Sequence, residues 1–208
     1  MRLLLALVLV LALAACGSES EEAAAPSPET VTVTQTETIE AEEPEEPDEP
    51  EVECSTAGLR LNLSDQDLPG PVEDVRQRVF EAAVACDYDT LEEIALEQGE
   101  GFTFSYGAGP DDAAAAHWRE LEESGAEEPM RVLATILTLP YTRNESGSYA
   151  WPTAYSESPT DEAWQALVEG GLYSQGEIDA MREGGSGYLG YRTAITADGD
   201  WQFFVAGD

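Results

Sequence analysis

Residues 54–208 predict an α+β domain in which an antiparallel sheet with a C-terminal β-hairpin packs against several helices. Three observations predict it. Apolar residues recur at helical spacing in several separately capped segments, and the chain closes on "GYLGYRTAITADGDWQFFVAGD", two alternating runs around Asp198 and Gly199. A short strand and an aromatic edge strand precede that hairpin, and with it they argue an antiparallel sheet. With 155 residues, the segment is long enough for one domain with a real core.

The elements follow in chain order. "PGPVEDVRQRVFEAAVACDYD" begins with Pro71, suited to a first helical turn, and Val72, Val75, Val79, Ala82, Ala83 and Cys86 recur along one stripe. Thr90 with Glu93 reads as a capping box for a second helix through Leu91, Ile94 and Leu96, stopped by Gly99. "GFTFSYG" alternates Phe102, Phe104 and Tyr106 as a brief strand. Asp111 or Asp112 caps a third helix with Ala114, His117, Trp118 and Leu121 on one face, ended by Gly125. "EEPMRVLATILTLPY" places Pro129 at a helix start and Pro140 after its end, and its near-continuous aliphatics predict the most deeply buried helix.

"SYAWPTAYS" reads as a strand with Tyr149, Trp151, Thr153 and Tyr155 on one side, and Pro152 assigns it to a sheet edge. Ser158, Pro159 and Asp161 open a helix carrying Trp164, Leu167 and Val168, closed by Gly170 and Gly171. Ser174 with Glu177 caps another around Ile178 and Met181. In the closing hairpin, Asp198 and Gly199 form a two-residue turn. That turn pairs Thr196 with Trp201, Ala194 with Phe203, Thr193 with Phe204 and Arg192 with Val205. One face then carries Trp201, Phe203 and Val205, and the other Leu189, Tyr191, Ile195 and Phe204. Both faces are apolar, which predicts a covered sheet or a pocket wall. The opening helical pair followed by the terminal "DGDWQFF" hairpin resembles the cone-shaped NTF2-like fold, from which the helices near 130 and 165 depart.

Ahead of this domain the chain has two further parts. Residues 1–15 carry Arg2 and an aliphatic run over residues 3–13, too short to cross a bilayer core of ~30 Å, and read as a cleaved export signal. The run ends on Leu13, Ala14, Ala15 and Cys16, which together resemble the lipobox of a bacterial lipoprotein precursor. The resemblance implies a diacylglyceryl thioether on Cys16, cleavage before it, and anchoring to the cell membrane on its extracytoplasmic face. Two acyl chains meet the requirement for stable anchoring, each buried methylene contributing ~0.8 kcal/mol.

Residues 16–53 follow as an acidic, proline-rich tether. Between 17 and 53 there are fourteen Asp or Glu and no Arg or Lys, with proline at 26, 28, 44, 47 and 50. Such a composition cannot offset its ordering entropy and predicts disorder. These 37 residues would reach about 110 Å if extended at ~3.1 Å per residue, against about 33 Å as a flexible coil.

Composition excludes several function classes. The domain holds 29 of the 43 acidic residues against 8 Arg, about 21 net negative charges. That field opposes nucleic acid and anionic lipid. Lysine is absent from the whole chain, which removes Schiff-base chemistry, the phosphate-loop lysine and the Ser-x-x-Lys nucleophile. Once Cys16 is lipidated, Cys54 and Cys86 remain in an oxidising compartment and predict a disulfide.

His117, the single histidine, lies on an amphipathic stripe and reads as a partly buried, hydrogen-bonded residue. No G-x-S-x-G elbow is present, since "GGSGY" at 184–188 fails the spacing. Too few His and Cys remain for zinc, and neither a metal nor another cofactor is expected. Asp87, Asp89, Glu92 and Glu93 cluster at a helix start, where capping accounts for them. Asp198 and Asp200 belong to a turn too short for an EF-hand.

The standing feature is aromatic. Tyr149, Trp151 and Tyr155, with Tyr188, Tyr191 and Trp201, form either the core or a platform for carbohydrate, peptide or a cationic group. Arg192 projects from the side of Trp201 and Phe203, and on an apolar face it needs an acidic partner, a ligand anion or an exposed edge. The candidate ligand-binding residues are therefore Tyr149, Trp151, Tyr155, Tyr191, Arg192 and Trp201. Nothing in the sequence sets the oligomeric state. The function these features support is a lipid-anchored, non-catalytic binding or interaction module. The alternative is a carboxylate-pair hydrolase acting on cell-envelope carbohydrate.

Overall fold

The computed structural model describes residues 54–97, 101–109 and 112–207. The lipobox, the tether, Gly99 and Asp111 lie outside the described residues. The fold is α+β, with six helices and one antiparallel sheet of four strands among the described residues.

Four helices come first: α1 (Gly70–Ala85), α2 (Tyr88–Leu96), α3 (Ala114–Ser124) and α4 (Pro129–Thr138). Pro71 sits in the first turn of α1, which buries Val72, Val75, Val79, Ala82 and Ala83 along one stripe. Cys86 ends α1 in the left-handed conformation with φ 50°. Next, the Asp87 carboxylate accepts a hydrogen bond from Thr90 N at 3.0 Å and caps α2. This replaces the expected Thr90–Glu93 box, because the helix begins three residues earlier than that pairing implies. Ala113, the N-cap of α3, offers no capping side chain; the Glu92 carboxylate accepts from Ala115 N at 2.6 Å in its first turn, and Asp112 accepts from Gly109 N at 2.6 Å. Its buried residues are Ala114, Ala115, Trp118 and Glu122, leaving His117 and Leu121 half-buried. As expected, Gly125 closes α3 in the left-handed region, and α4 starts at Pro129 and buries seven of its ten residues.

The segment entering α1 is a strap. A disulfide joins Cys54 to Cys86, with Cα atoms 5.8 Å apart. The Thr56 hydroxyl donates to Val84 O at 2.6 Å, and the Ser55 hydroxyl donates to the Glu122 carboxylate at 2.7 Å. Glu122, although buried, also accepts from Met130 N at 3.0 Å and so satisfies the first turn of α4. Further along, the Gln66 side chain donates to Leu139 O and accepts from the Trp151 indole. Leu61, Leu63 and Leu68 pack on the core beside it.

The sheet follows the order β1 (Thr142–Arg143), β2 (Tyr149–Trp151), β3 (Arg192–Ile195) and β4 (Trp201–Val205). Here β2 lies inside the sheet, flanked by β1 and β3, and all three of its residues are buried. It is not the edge that Pro152 suggested, because the strand stops at Trp151. A cis Trp151–Pro152 bond and a 3-10 turn at Thr153–Tyr155 carry the chain away, so Pro152 never faces a ladder position. The "GFTFSYG" run is no strand either. Only Thr103 pairs, in a parallel bridge to Phe203 with bonds to Gln202 O and Phe204 N.

The hairpin departs from expectation twice, and the departures cancel. Thr196 N donates to Asp200 O, which makes the loop three residues long, 197–199, and pairs Ile195 with Trp201. A bulge then restores Ala194 to Phe203, Thr193 to Phe204 and Arg192 to Val205. The extra residue moves Trp201 onto the face of Ile195 and Phe204, where its indole donates to Thr193 Oγ1 at 2.7 Å. Gly199, at φ 96°, packs against Pro71; a Cβ there would lie 3.0 Å from the Pro71 carbonyl.

One sheet face, with Tyr149, Trp151, Ile195, Trp201 and Phe204, closes the main core over α1, α2, α3 and α4. Fully burying such a side chain contributes ~1.5–3 kcal/mol. A second cluster joins α5 (Asp161–Glu169) and α6 (Gln175–Gly184) through Trp164, Leu167, Ile178 and Tyr188. Thr160 caps α5, and Ser174 with Glu177 forms the expected capping box on α6. Among the described residues, no helix is long and apolar enough to cross a membrane.

Candidate functional site

The structure divides the candidate aromatic residues between core and site. Trp151 and Trp201 are 0% and 2% exposed, and Tyr149 is buried with them. Their rings pack on Tyr141, Trp118 and Phe102, so they do not form one surface. Tyr191 stacks on Phe204 at 4.9 Å, and its hydroxyl donates to Glu127. Tyr155 alone is brought to Arg192, its ring 5.1 Å from the guanidinium carbon.

Arg192 points to the second face of the sheet, together with Ala194, Phe203 and Val205, and away from Trp201. The bulge at β4 is the cause. The residue is 6% exposed. Nη2 donates to the Tyr106 hydroxyl at 2.9 Å, Nη1 makes a long contact of 3.4 Å with Gly190 O, and Nε is buried with no partner. Among the described residues no carboxylate pairs with it.

Arg76 is a useful contrast. It too is buried, yet Nε and Nη2 bond Leu137 O, and Nη1 bonds Ser64 O and the Glu73 carboxylate. Each guanidinium nitrogen of Arg76 has a partner, whereas Nε of Arg192 has none.

Two tyrosines pack beside Gly190, whose carbonyl Nη1 reaches. Tyr188 donates to Tyr191 O at 2.8 Å and packs edge-on against Tyr173. Burial pushes the Tyr188 and Tyr173 hydroxyls above their ordinary value, and burial followed by the Glu127 hydrogen bond does the same for Tyr191. Gly190 is required at the centre, since a Cβ there would lie 2.5 Å from the Tyr188 hydroxyl and closer still to that of Tyr173.

Tyr155 also lines an open cleft of about 890 Å³ between the β1–β2 turn and the segment before α5. Arg143, Asn144, Glu145 and Ser146 form one wall, and Ser156, Glu157 and Ser158 the other. Arg143 stacks on Tyr149 at 4.0 Å and has no ion pair among the described residues. Both glutamates are exposed.

His117 packs 5.4 Å from Phe104, and its side chain makes no hydrogen bond among the described residues. No group of His, Cys, Asp and Glu suited to a metal occurs among them. Asp200 closes the hairpin loop, its O accepting from Thr196 N and its N–H bonding Thr196 Oγ1.

Sequence reasoning missed Tyr106, Gly190 and the cleft. The tyrosine-glycine spacing of "GYLGYR" was the available signal for Gly190; Tyr106 lies 86 residues from Arg192 and had none. No protein-family model, curated protein or solved structure matches this chain.

Proposed function

We propose that the chain is a lipid-anchored lipoprotein of the extracytoplasmic face of the cell membrane, displaying an acidic α+β domain that binds a ligand without transforming it. The anchor rests on Leu13, Ala14, Ala15 and Cys16, and the Cys54–Cys86 disulfide supports export, since such bonds persist in oxidising compartments. The binding role is carried by one observation, the cleft of about 890 Å³ beside Tyr155, within the size range of ligand sites. A purely structural domain has no need of it. A small sugar or peptide suits a cleft of this size, and the domain's net negative charge opposes only polyanions such as nucleic acid.

Glu145 and Glu157 in one cleft favour a second reading, a carboxylate-pair hydrolase of envelope carbohydrate. Their exposure argues for the binding role, because a general acid needs a carboxyl held protonated by burial or a like charge.

Labelling cells with an alkyne fatty acid tests the anchor. Wild type is expected to carry label and Cys16→Ser none; an unlabelled wild type refutes it. Thermal shifts with envelope saccharides and short peptides test the binding role. Turnover of a saccharide, lost in Glu145→Gln or Glu157→Gln, would replace it with the hydrolase.

A further inference from the structure

We propose that Arg192 is the anion-binding group of a carboxylate site, which in this structure is closed by the Tyr106 side chain. The inference rests on the binding-module reading above and names a ligand group for the Arg192 side of Tyr155.

The first support is the guanidinium edge itself. Nε and Nη2 lie side by side and form a planar two-donor fork that matches the two oxygens of a carboxylate. In this structure the fork holds one neutral hydroxyl, Tyr106, on Nη2, and nothing on Nε. A hydroxyl oxygen satisfies one donor of the pair; a carboxylate satisfies both and supplies the missing charge.

The second is the setting. A buried guanidinium stays charged and is costly without a partner. This chain holds 43 acidic residues, and five of its arginines form ion pairs among the described residues, yet the Arg192 fork meets no described carboxylate. The Tyr155 ring, 5.1 Å from the guanidinium carbon, supplies a flat face suited to the carbon skeleton of an organic acid.

The third is access. Tyr106 is 61% exposed, so little packing holds it over Arg192. Rotating that side chain frees Nη2 of its partner, and Tyr106 takes no part in the β3–β4 ladder.

The test uses the mature chain with Cys16→Ser, following the arginine Nε–Hε signals by NMR. N-acetylglycine presents a peptide-type carboxylate and glucuronate a sugar-type one, with N-acetylglycine methyl ester and chloride as controls. Saturable movement of the Arg192 signal with one of the two acids, and with neither control, is expected, and the acid that binds tells peptide from sugar. Tyr106→Phe removes the competing hydroxyl and is expected to tighten binding about fivefold, the weight of one hydrogen bond. Arg192→Gln is expected to abolish it. If Arg192→Gln does not fold, Tyr106→Phe decides. An unmoved Arg192 signal, an equal response to chloride, or unchanged affinity in Tyr106→Phe overturns the proposal. Movement of the Arg143 signal alone overturns this site while leaving the binding role of the cleft intact.

Discussion

Removing the Cys54–Cys86 disulfide measures how far the strap stabilises the domain. The bond closes a loop with a sequence separation of 32. On the chain-entropy model this removes about 12.4 cal/mol/K from the unfolded ensemble, or about 3.7 kcal/mol at 25 °C. The double variant Cys54→Ser with Cys86→Ser, in the Cys16→Ser background, avoids a lone thiol. Hydrogen bonds from Thr56 to Val84 and from Ser55 to Glu122 do not involve the sulfurs and remain available to hold the strap. The native state is therefore expected to persist. For a domain of this size the melting temperature should fall by about 7–15 °C, followed by circular dichroism. In urea the midpoint should fall and the slope rise, since the open unfolded chain exposes more surface. A loss below about 1 kcal/mol would refute the reasoning, because it would mean the unlinked denatured chain is already compact in this region.

Other outcomes follow from single positions. Gly190→Ala drives a Cβ into the Tyr173 and Tyr188 hydroxyls and should cost about 1–3 kcal/mol in urea titrations, whereas Gly176→Ala in α6 meets open space and should stabilise by up to about 1 kcal/mol. Phe204→Ala should cost about 3–5 kcal/mol, because the ring is fully buried between Trp118 and Tyr191. On the acid side, hydrogen bonds from Thr90 hold Asp87 below the usual carboxylate range, and those from Ser174 do the same for Glu177. Their contribution is complete above the unfolded value near ~4 and is lost as pH falls through the lower folded value. Asp87→Asn should flatten that acid limb of a stability–pH curve. On the alkaline side, burial and then Glu122 push Tyr88 up to about 12. Stability should decline as pH rises from about 10 to about 12, less steeply in Tyr88→Phe.

Much of the architecture was legible because it is local. Helix caps act within four residues, so Pro129, Gly125 and the Ser174–Glu177 box could be read directly. The pairing of Arg192, Thr193 and Ala194 was also legible, although by compensation: a loop one residue longer and a bulge of one residue restore the register between them. The face of Trp201 was not legible, because a two-residue period holds only until one residue is inserted. Nor was the interior place of β2, which depends on β3 pairing to it from more than forty residues away.

The sequence alone determined the class of the domain, its acidic charge, its lack of lysine chemistry and its two-cysteine cross-link, since each depends on composition or short spacing. Only the tertiary structure decided which aromatics are core and which stand beside Arg192. A guanidinium's partners are chosen by what packing brings within 3 Å, and here that is a tyrosine 86 positions earlier in the chain.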